Sequence, residues 1–178
     1  MNHNFSLAPL AMHVAEMQLQ ATIQELRECN DISGAFGLAL SETQMHALAE
    51  RRVDALRDTG RVEFDGGIFK KLVYAFCDSP YLSPRIYEET LSALQDSFYY
   101  YKSEAMERIS DDELIEFMKL LFDGSAAGSL DFLAGTSLEE LCRCARAGQS
   151  VQDVQSAQMR KKEQDAQDSG ACEDEDER

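Results

Sequence analysis

The chain has 178 residues, of which 44% are hydrophobic, so it can bury a core and is not a fully disordered protein. Its 33 acidic residues outnumber its 17 basic ones and give a formal net charge of −16, which repels phosphate backbones and anionic lipid headgroups. We therefore expect neither nucleic acid nor a membrane among its partners.

The first two helices are predicted from apolar residues spaced three and four apart. The first covers about residues 9–28, with Pro9 in its first turn, and the polar residues 30–34 predict its stop. Ser41 and Gln44 form the S-x-x-Q pattern of a capping box, in which each side chain bonds the other residue's backbone amide. A second helix is therefore expected to begin directly after Ser41.

The next stretch predicts the end of that helix, an irregular link and a third helix. Gly60 suits the position just beyond a helix C-terminus. Residues 61–64 alternate polar and apolar side chains, which is typical of a short extended segment. Helical spacing resumes over residues 68–77, and Pro80 limits this third helix because the residue before a proline avoids helical geometry.

The fourth helix has the most regular apolar pattern of the chain. Ser83 and Pro84 predict its cap and its first turn. Its apolar seam consists of Tyr87, Leu91, Leu94, Phe98, Tyr101 and Ala105. Such a seam could join two copies of the chain as a homo-oligomer. We favour the alternative, a helix buried at the centre of its own bundle, because three heptads are short for a coiled coil.

The remaining helices follow two further capping patterns. Ser110 and Glu113 form a second capping box in front of the fifth helix. Gly128 and Gly135 bracket a short helical turn, and Thr136, with Glu139 three residues later, is predicted to cap a last helix.

These elements predict an all-α fold, a compact bundle of about five to six helices in a single domain that covers residues 1–148. Residues 149–178 are mostly polar and acidic. They offer too little apolar surface to offset an ordering cost of roughly 1–2 kcal/mol per residue. We expect them to form a disordered tail.

Cysteine and histidine usage bears on the compartment and on metal binding. The five cysteines are an odd number without a C-x-x-C pair, and the three histidines form no zinc motif with them. No stretch approaches the ~18 consecutive apolar residues of a membrane span, and the first residues lack a secretory pattern. We expect a cytoplasmic protein with reduced thiols, and neither a metal nor a cofactor.

The segment after the fifth helix has part of the pattern of a calcium-binding EF-hand loop. Asp123, Ser125 and Asp131 would supply oxygen ligands at positions 1, 3 and 9 of such a loop. Positions 5 and 12 are Ala127 and Ala134, so the bidentate carboxylate that completes calcium coordination is missing. We favour a helix stop followed by a capped short helix over a calcium site.

The end of the third helix concentrates polar and reactive side chains. A nucleophilic Cys77 would need a base and a lowered pKa, whereas the adjacent Asp78 and the helix C-terminus both raise that pKa. Only His13 or His46, brought close by folding, could act as the base, so we predict no catalytic residue. The candidate functional surface consists of Arg61, Tyr74, Cys77, Asp78, Ser79 and Tyr81.

A local excess of basic residues interrupts the acidic chain before and within the third helix. The candidate contacts for an anion or an acidic partner are Arg51, Arg52, Arg57, Lys70 and Lys71. The alternative is a solvated helix face on which charges pair three or four residues apart, as Asp54 and Arg57 would do.

Four stretches together carry a family resemblance. They are residues 60–64 (GRVEF), 74–81 (YAFCDSPY), 112–118 (DELIEFM), and 122–124 (FDG) with 128–130 (GSL). With them, residues 30–146 resemble a family of functionally uncharacterised bacterial proteins from Gram-positive anaerobes. The resemblance implies a bacterial, cytoplasmic setting and carries over no activity, cofactor or catalytic residue.

The sequence therefore favours a small helical interaction or adaptor module that binds another protein and performs no chemistry of its own. The alternative is an enzyme or a small-molecule-binding protein that uses the residues from Tyr74 to Tyr81 together with the basic cluster from Arg51 to Lys71.

Overall fold

The computed structural model describes residues 8–63, 67–154, 156 and 160. The described residues form seven α-helices, namely α1 (Ala8–Ser33), α2 (Glu42–Asp58), α3 (Phe69–Phe76), α4 (Tyr87–Glu104), α5 (Asp111–Asp123), α6 (Leu130–Leu133) and α7 (Thr136–Arg146). A 3-10 turn, Gly34–Phe36, follows α1, and this part of the chain contains no strand. The all-α prediction is confirmed, and the helix that brings the count to seven is the four-residue α6, which the sequence predicts as a short helical turn between Gly128 and Gly135.

The core is built around α4, which packs against α2, α3, α5, α6 and α7. On the other side of the bundle, α1 packs against α2 and α3. All six residues of the predicted α4 seam are at most 3% exposed. Burying a large apolar side chain of this kind stabilises the fold by roughly 1.5–3 kcal/mol. The seam therefore packs inside the chain, as the core interpretation expects.

Both predicted capping boxes form. The Ser41 hydroxyl accepts a hydrogen bond from the Gln44 backbone amide, and the Gln44 side chain accepts one from the Ser41 amide at 2.9 Å. Ser110 and Glu113 make the same reciprocal pair at the start of α5. Local hydrogen bonding therefore determines where these two helices begin.

The predicted end of the first helix at about residue 28 is wrong, because α1 continues to Ser33, which lies within the residues 30–34 predicted to stop it. The side chain of Asn30 donates to the Leu40 carbonyl and accepts from the Leu40 amide, each at 2.8 Å. Asn30 is therefore satisfied by the returning chain and does not need to terminate the helix. The turn comes later, at Gly37, whose φ of 74° is the left-handed geometry that glycine tolerates.

The predicted cap of the fourth helix is also wrong. α4 begins at Tyr87, and its N-cap is Ile86, which makes no side-chain capping bond. Ser83 instead opens a turn in which its carbonyl accepts the Ile86 amide at 3.1 Å. Pro84 therefore lies in that turn and not in the first turn of the helix.

The predicted cap of the last helix at Thr136 is wrong as well. Thr136 is the first residue of α7, and the N-cap is Gly135. The helix therefore begins one residue earlier than a cap at Thr136 would place it.

The structure describes only part of two predicted segments, the extended stretch 61–64 and the tail 149–178. Residues 61–63 have no regular secondary structure, and residues 64–66 lie outside the described residues. Beyond α7, residues 151–154 are helical, and Val151 and Val154 are buried. The first residues of the expected tail therefore pack against the helical domain. Residues 161–178 lie outside the description, and their disorder stays a prediction.

None of the helices in the described residues combines the length and the apolar composition that a membrane crossing requires.

Gln95 of α4 is fully buried, and neither of its amide atoms has a hydrogen-bond partner among the described residues. A buried polar group without a partner costs about 1–3 kcal/mol. We expect Gln95→Met to raise the free energy of unfolding by roughly 1 kcal/mol in urea titrations. The control is Gln24→Met, at an exposed position on α1. A loss of stability in Gln95→Met would mean that the amide bonds a water molecule within the core.

Candidate functional site

An open groove of about 420 Å³ runs between α3 and α5, and we call it the α3/α5 groove. It is lined by Lys71, Tyr74 and Ala75 of α3 and by Asp112, Ile115, Glu116 and Lys119 of α5. Ala75 and Ile115 give it an apolar lining, while the Tyr74 side chain remains 54% exposed. The groove therefore combines apolar surface with an exposed aromatic ring.

The apolar pattern of α3 explains why Tyr74 is exposed. Phe69, Leu72, Val73 and Phe76 are all fully buried, and their spacing places them on one face of the helix. Tyr74 follows Val73 and falls beyond the edge of that buried stripe. The buried face anchors the helix in the core, and the Tyr74 ring lies at the protein surface.

An ion pair links the two helices at the start of α5. Lys71 Nζ lies 2.8 Å from Asp112 Oδ1 and 3.8 Å from Asp111 Oδ2. This contact joins the side of α3 to the first turn of α5. It restricts the distance between the two walls of the groove.

A second ion-pair cluster stands at the other end of α5. Lys119 Nζ lies 2.7 Å from Asp78 Oδ1 and 2.6 Å from Asp123 Oδ2, and 5.7 Å from the centre of the Phe76 ring. Partial burial opposes the charge of Lys119, but the hydrogen bonds to Asp123 and Asp78 raise its pKa overall. The hydrogen bond from Lys119 in turn lowers the pKa of Asp78. Both charges persist at neutral pH.

The turn after α3 is attached to the end of α5 by two more contacts. The Ser79 hydroxyl donates to Asp123 Oδ1 at 2.6 Å. The Tyr81 ring meets the Phe122 ring edge to face, with 6.3 Å between centroids. The structure therefore brings Ser79 and Tyr81, two residues of the candidate surface, to the same end of α5 as Lys119.

Cys77 is buried beneath this turn, and its side chain is only 6% exposed. Burial, and secondarily the charge of Asp78, raise the pKa of the thiol. A protonated thiol is a poor nucleophile. His13 and His46 have exposed side chains, whereas the Cys77 thiol donates to the Tyr74 carbonyl oxygen at 3.9 Å. The geometry favours a structural role for this cysteine.

We expect Cys77 in the folded chain to react with N-ethylmaleimide at pH 8 more than about tenfold more slowly than in 6 M urea. Burial and the raised pKa both reduce the accessible thiolate. Isotope-coded labelling followed by mass spectrometry of the Cys77 peptide measures this residue separately from the other cysteines. Equal rates in the two conditions would contradict the burial and would restore Cys77 as a candidate nucleophile.

Arg52 lies in the core and not on a partner-contacting surface as the sequence suggested. Its side chain is fully buried. Its guanidinium donates to Thr22 Oγ1 at 2.7 Å and to Tyr99 Oη at 3.3 Å, and it forms an ion pair with Glu63 Oε2 at 2.8 Å. These partners compensate the burial of the charge. Arg61, also away from the groove, stacks 5.6 Å from the centre of the Tyr99 ring.

The other predicted anion contacts do not form one cluster. Arg51 donates to Ser92 of α4, and Arg57 pairs with Asp54 three residues away, as the solvated-face alternative expects. Lys70 is exposed on α3. Lys71 is the member of the predicted basic cluster that lines the α3/α5 groove.

The loop at residues 123–134, which partly matches an EF-hand, is held by hydrogen bonds and ion pairs within the chain. Asp123 bonds Lys119 and Ser79, and the Ser129 hydroxyl accepts the Phe132 amide at 3.2 Å to cap α6. This arrangement agrees with the helix stop and capped short helix that the sequence favoured. No group of three or more His, Cys, Asp or Glu side chains in the described part of the chain could hold a metal ion.

Sequence reasoning missed the α5 wall of the groove. Ile115, Glu116 and Lys119 are ordinary residues of an amphipathic helix, and periodicity alone does not show which neighbour that helix faces. The spacing of Lys119 and Asp123 did permit the ion pair that forms between them, since residues four apart on a helix are neighbours.

A family model described as "Family of unknown function (DUF6323)" matches residues 25–151. The match extends from within α1 to beyond α7 and includes the whole α3/α5 groove. No curated protein and no solved structure matches the chain.

Proposed function

The chain belongs to the family of unknown function DUF6323, and we propose that it is a helical interaction module that binds another protein in the α3/α5 groove. The observation that carries the proposal is the exposed Tyr74 ring beside the apolar lining of an open groove. Tyrosine is enriched at protein interfaces and among the residues that dominate binding energy.

The ion pairs that join the two walls of the groove support the same proposal. Ion pairs through Lys71 and Lys119 hold α5 to α3 and to the turn that follows it. A preformed site loses less conformational entropy when a partner binds. The groove therefore offers a surface that a partner can recognise without refolding it.

The four cysteines in the described residues are free thiols. We place the module in a reducing compartment, the bacterial cytoplasm. The net charge of −16 argues against nucleic acid and anionic membranes as ligands.

The test is affinity purification of the tagged full-length chain from the lysate of its own organism, quantified by mass spectrometry. We expect a partner that is enriched by the wild-type chain and lost with Tyr74→Ala, because truncating a central interface tyrosine costs about 2 kcal/mol or more, roughly a 30-fold loss of affinity. Tyr100→Ala is the matched control, since Tyr100 is a similarly exposed tyrosine on α4 (57%). A partner lost equally with both variants, or with neither, would contradict the assignment to the groove.

A second candidate function is a small-molecule site in the same groove. Its volume of about 420 Å³ lies within the usual range for such sites. A small-molecule site predicts that metabolite fractions from the same lysate raise the Tm of the wild-type chain and not that of Tyr74→Ala. It also predicts that no protein copurifies with the chain.

A further inference from the structure

We infer that the partner segment in the α3/α5 groove is an amphipathic helix with apolar anchors on one face and lysine or arginine residues flanking them. This inference rests on the proposed function and specifies the partner. It follows from the shape of the groove and from the charges around it.

The shape favours a short helix. The groove lies between two helices, and a third helix can lay its apolar face along such a channel. α3 has 8 residues, which corresponds to a length of about 12 Å. A partner helix of two to three turns spans that length and can present apolar side chains at positions i, i+3 or i+4, and i+7 to the lining of Ala75 and Ile115.

The two lysines of the groove do not make it basic. Lys119 lies between Asp78 and Asp123, so that end of the groove carries a net negative charge. At the other end, Lys71 pairs with Asp112. The lysines are therefore occupied by carboxylates of the chain itself.

The two lysines and two carboxylates that line the groove balance each other, and the carboxylates at its ends give the region a net negative charge. Asp111, near Lys71, also pairs with the buried Lys102 at 2.7 Å, so its charge is compensated. Glu116 is exposed on the α5 wall and adds a negative charge. With the unbalanced carboxylate beside Lys119, the groove and its ends carry a net negative charge, which complements lysine and arginine on a partner.

The net charge of the whole chain also favours a basic partner. A net charge of −16 attracts a basic segment at long range and repels a second copy of the same chain. The same repulsion acts against the acidic residues 173–177 as an occupant. A basic segment from a different protein is the occupant that fits both the lining and the charge.

The experiment places the photo-crosslinking residue p-benzoyl-phenylalanine at position 120 of the full-length chain. Leu120 is 47% exposed and lies one helical turn beyond Glu116 on α5. The same residue at position 100, on α4, is the control. After irradiation in the organism's lysate, mass spectrometry sequences the cross-linked peptides, with Tyr74→Ala as the second variant.

We expect a cross-link from position 120 that disappears with Tyr74→Ala and leads to a segment with helical apolar spacing and an excess of lysine and arginine. A synthetic peptide of that segment should bind about tenfold more weakly to Glu116→Lys and should lose affinity as NaCl increases. Asp96→Lys, which makes the same charge change on α4, should bind it unchanged.

The outcomes separate the two proposals. A Tyr74-dependent cross-link to an acidic segment, or to this chain itself, would overturn the inference about the basic helix, although the groove would remain an interface. An unchanged affinity of Glu116→Lys for the cross-linked peptide would overturn it as well. The absence of any Tyr74-dependent cross-link from position 120 would overturn both proposals.

Discussion

Arg52→Met should lower the free energy of unfolding by about 3 kcal/mol, because it breaks a buried ion pair and leaves Glu63 with only its 3.6 Å ion pair to Arg61 among the described residues. Arg52 is fully buried in α2 and joins three separate parts of the chain. Its guanidinium contacts Thr22 of α1, Glu63 of the irregular link and Tyr99 of α4. Burial opposes its charge, yet the hydrogen bonds to Glu63 and Tyr99 raise its pKa overall. The loss should appear in urea denaturation as a lower midpoint with an unchanged slope.

The matched control is Arg57→Met on the same helix. Arg57 is exposed and pairs only on the surface, with Asp54, so we expect a change within about 0.5 kcal/mol. Adding Glu63→Gln to Arg52→Met should recover part of the loss, because it removes a charge that would otherwise keep, within the described part of the chain, only its 3.6 Å pair with Arg61. Equal losses for Arg52→Met and Arg57→Met would show that the buried network does not stabilise the fold.

Gly128→Ala should lower the free energy of unfolding by about 2–4 kcal/mol. Gly128 has a φ of 81°, a left-handed geometry that strains an alanine. A Cβ at this position would lie 2.6 Å from the Cβ and 2.8 Å from the Cγ of Tyr81. Those atoms are near the backbone and cannot rotate away as the tip of a long side chain could. Thermal and urea unfolding both measure this loss.

Gly148→Ala separates backbone strain from the clash. Gly148 has a similar φ of 83°, but a Cβ there would meet no atom of the described residues within 4 Å. We expect this variant to lose only the strain of about 1–2 kcal/mol. In a Tyr81→Gly background, which removes the clashing Cβ together with the ring, Gly128→Ala should cost no more than Gly148→Ala. Equal losses for the two glycine variants in the wild-type background would mean that Tyr81 packs loosely.

The Gly128 contact also bears on the candidate site. Tyr81 packs on Phe122, and the turn that carries it places Asp78 against Lys119. Displacement of Tyr81 would therefore disturb one end of the α3/α5 groove. Tyr74 is exposed and lies in α3, outside this turn, so Tyr74→Ala tests binding without displacing Tyr81.

The candidate site was only partly predictable from sequence. Tyr74, Asp78, Ser79 and Tyr81 were identified because their polar and aromatic composition does not follow from helix periodicity. Lys119, which organises their surroundings, bonds Asp78 across 41 residues of sequence. A contact of that separation depends on how α3 and α5 pack. One sequence without homologues does not contain this information.

The helices of this protein follow largely from its sequence, because helix formation depends on apolar spacing and on capping groups within a few residues. Ser41 with Gln44 and Ser110 with Glu113 are local pairs of that kind, and both form as expected. Which charges are buried depends instead on how the helices pack against one another. Arg52 and Arg57 lie five residues apart on one helix, yet Arg52 bonds Thr22 and Tyr99 across 30 and 47 residues, while Arg57 remains in water. The partners of Arg52 come from α1 and α4, and only the packing of those helices brings them to it.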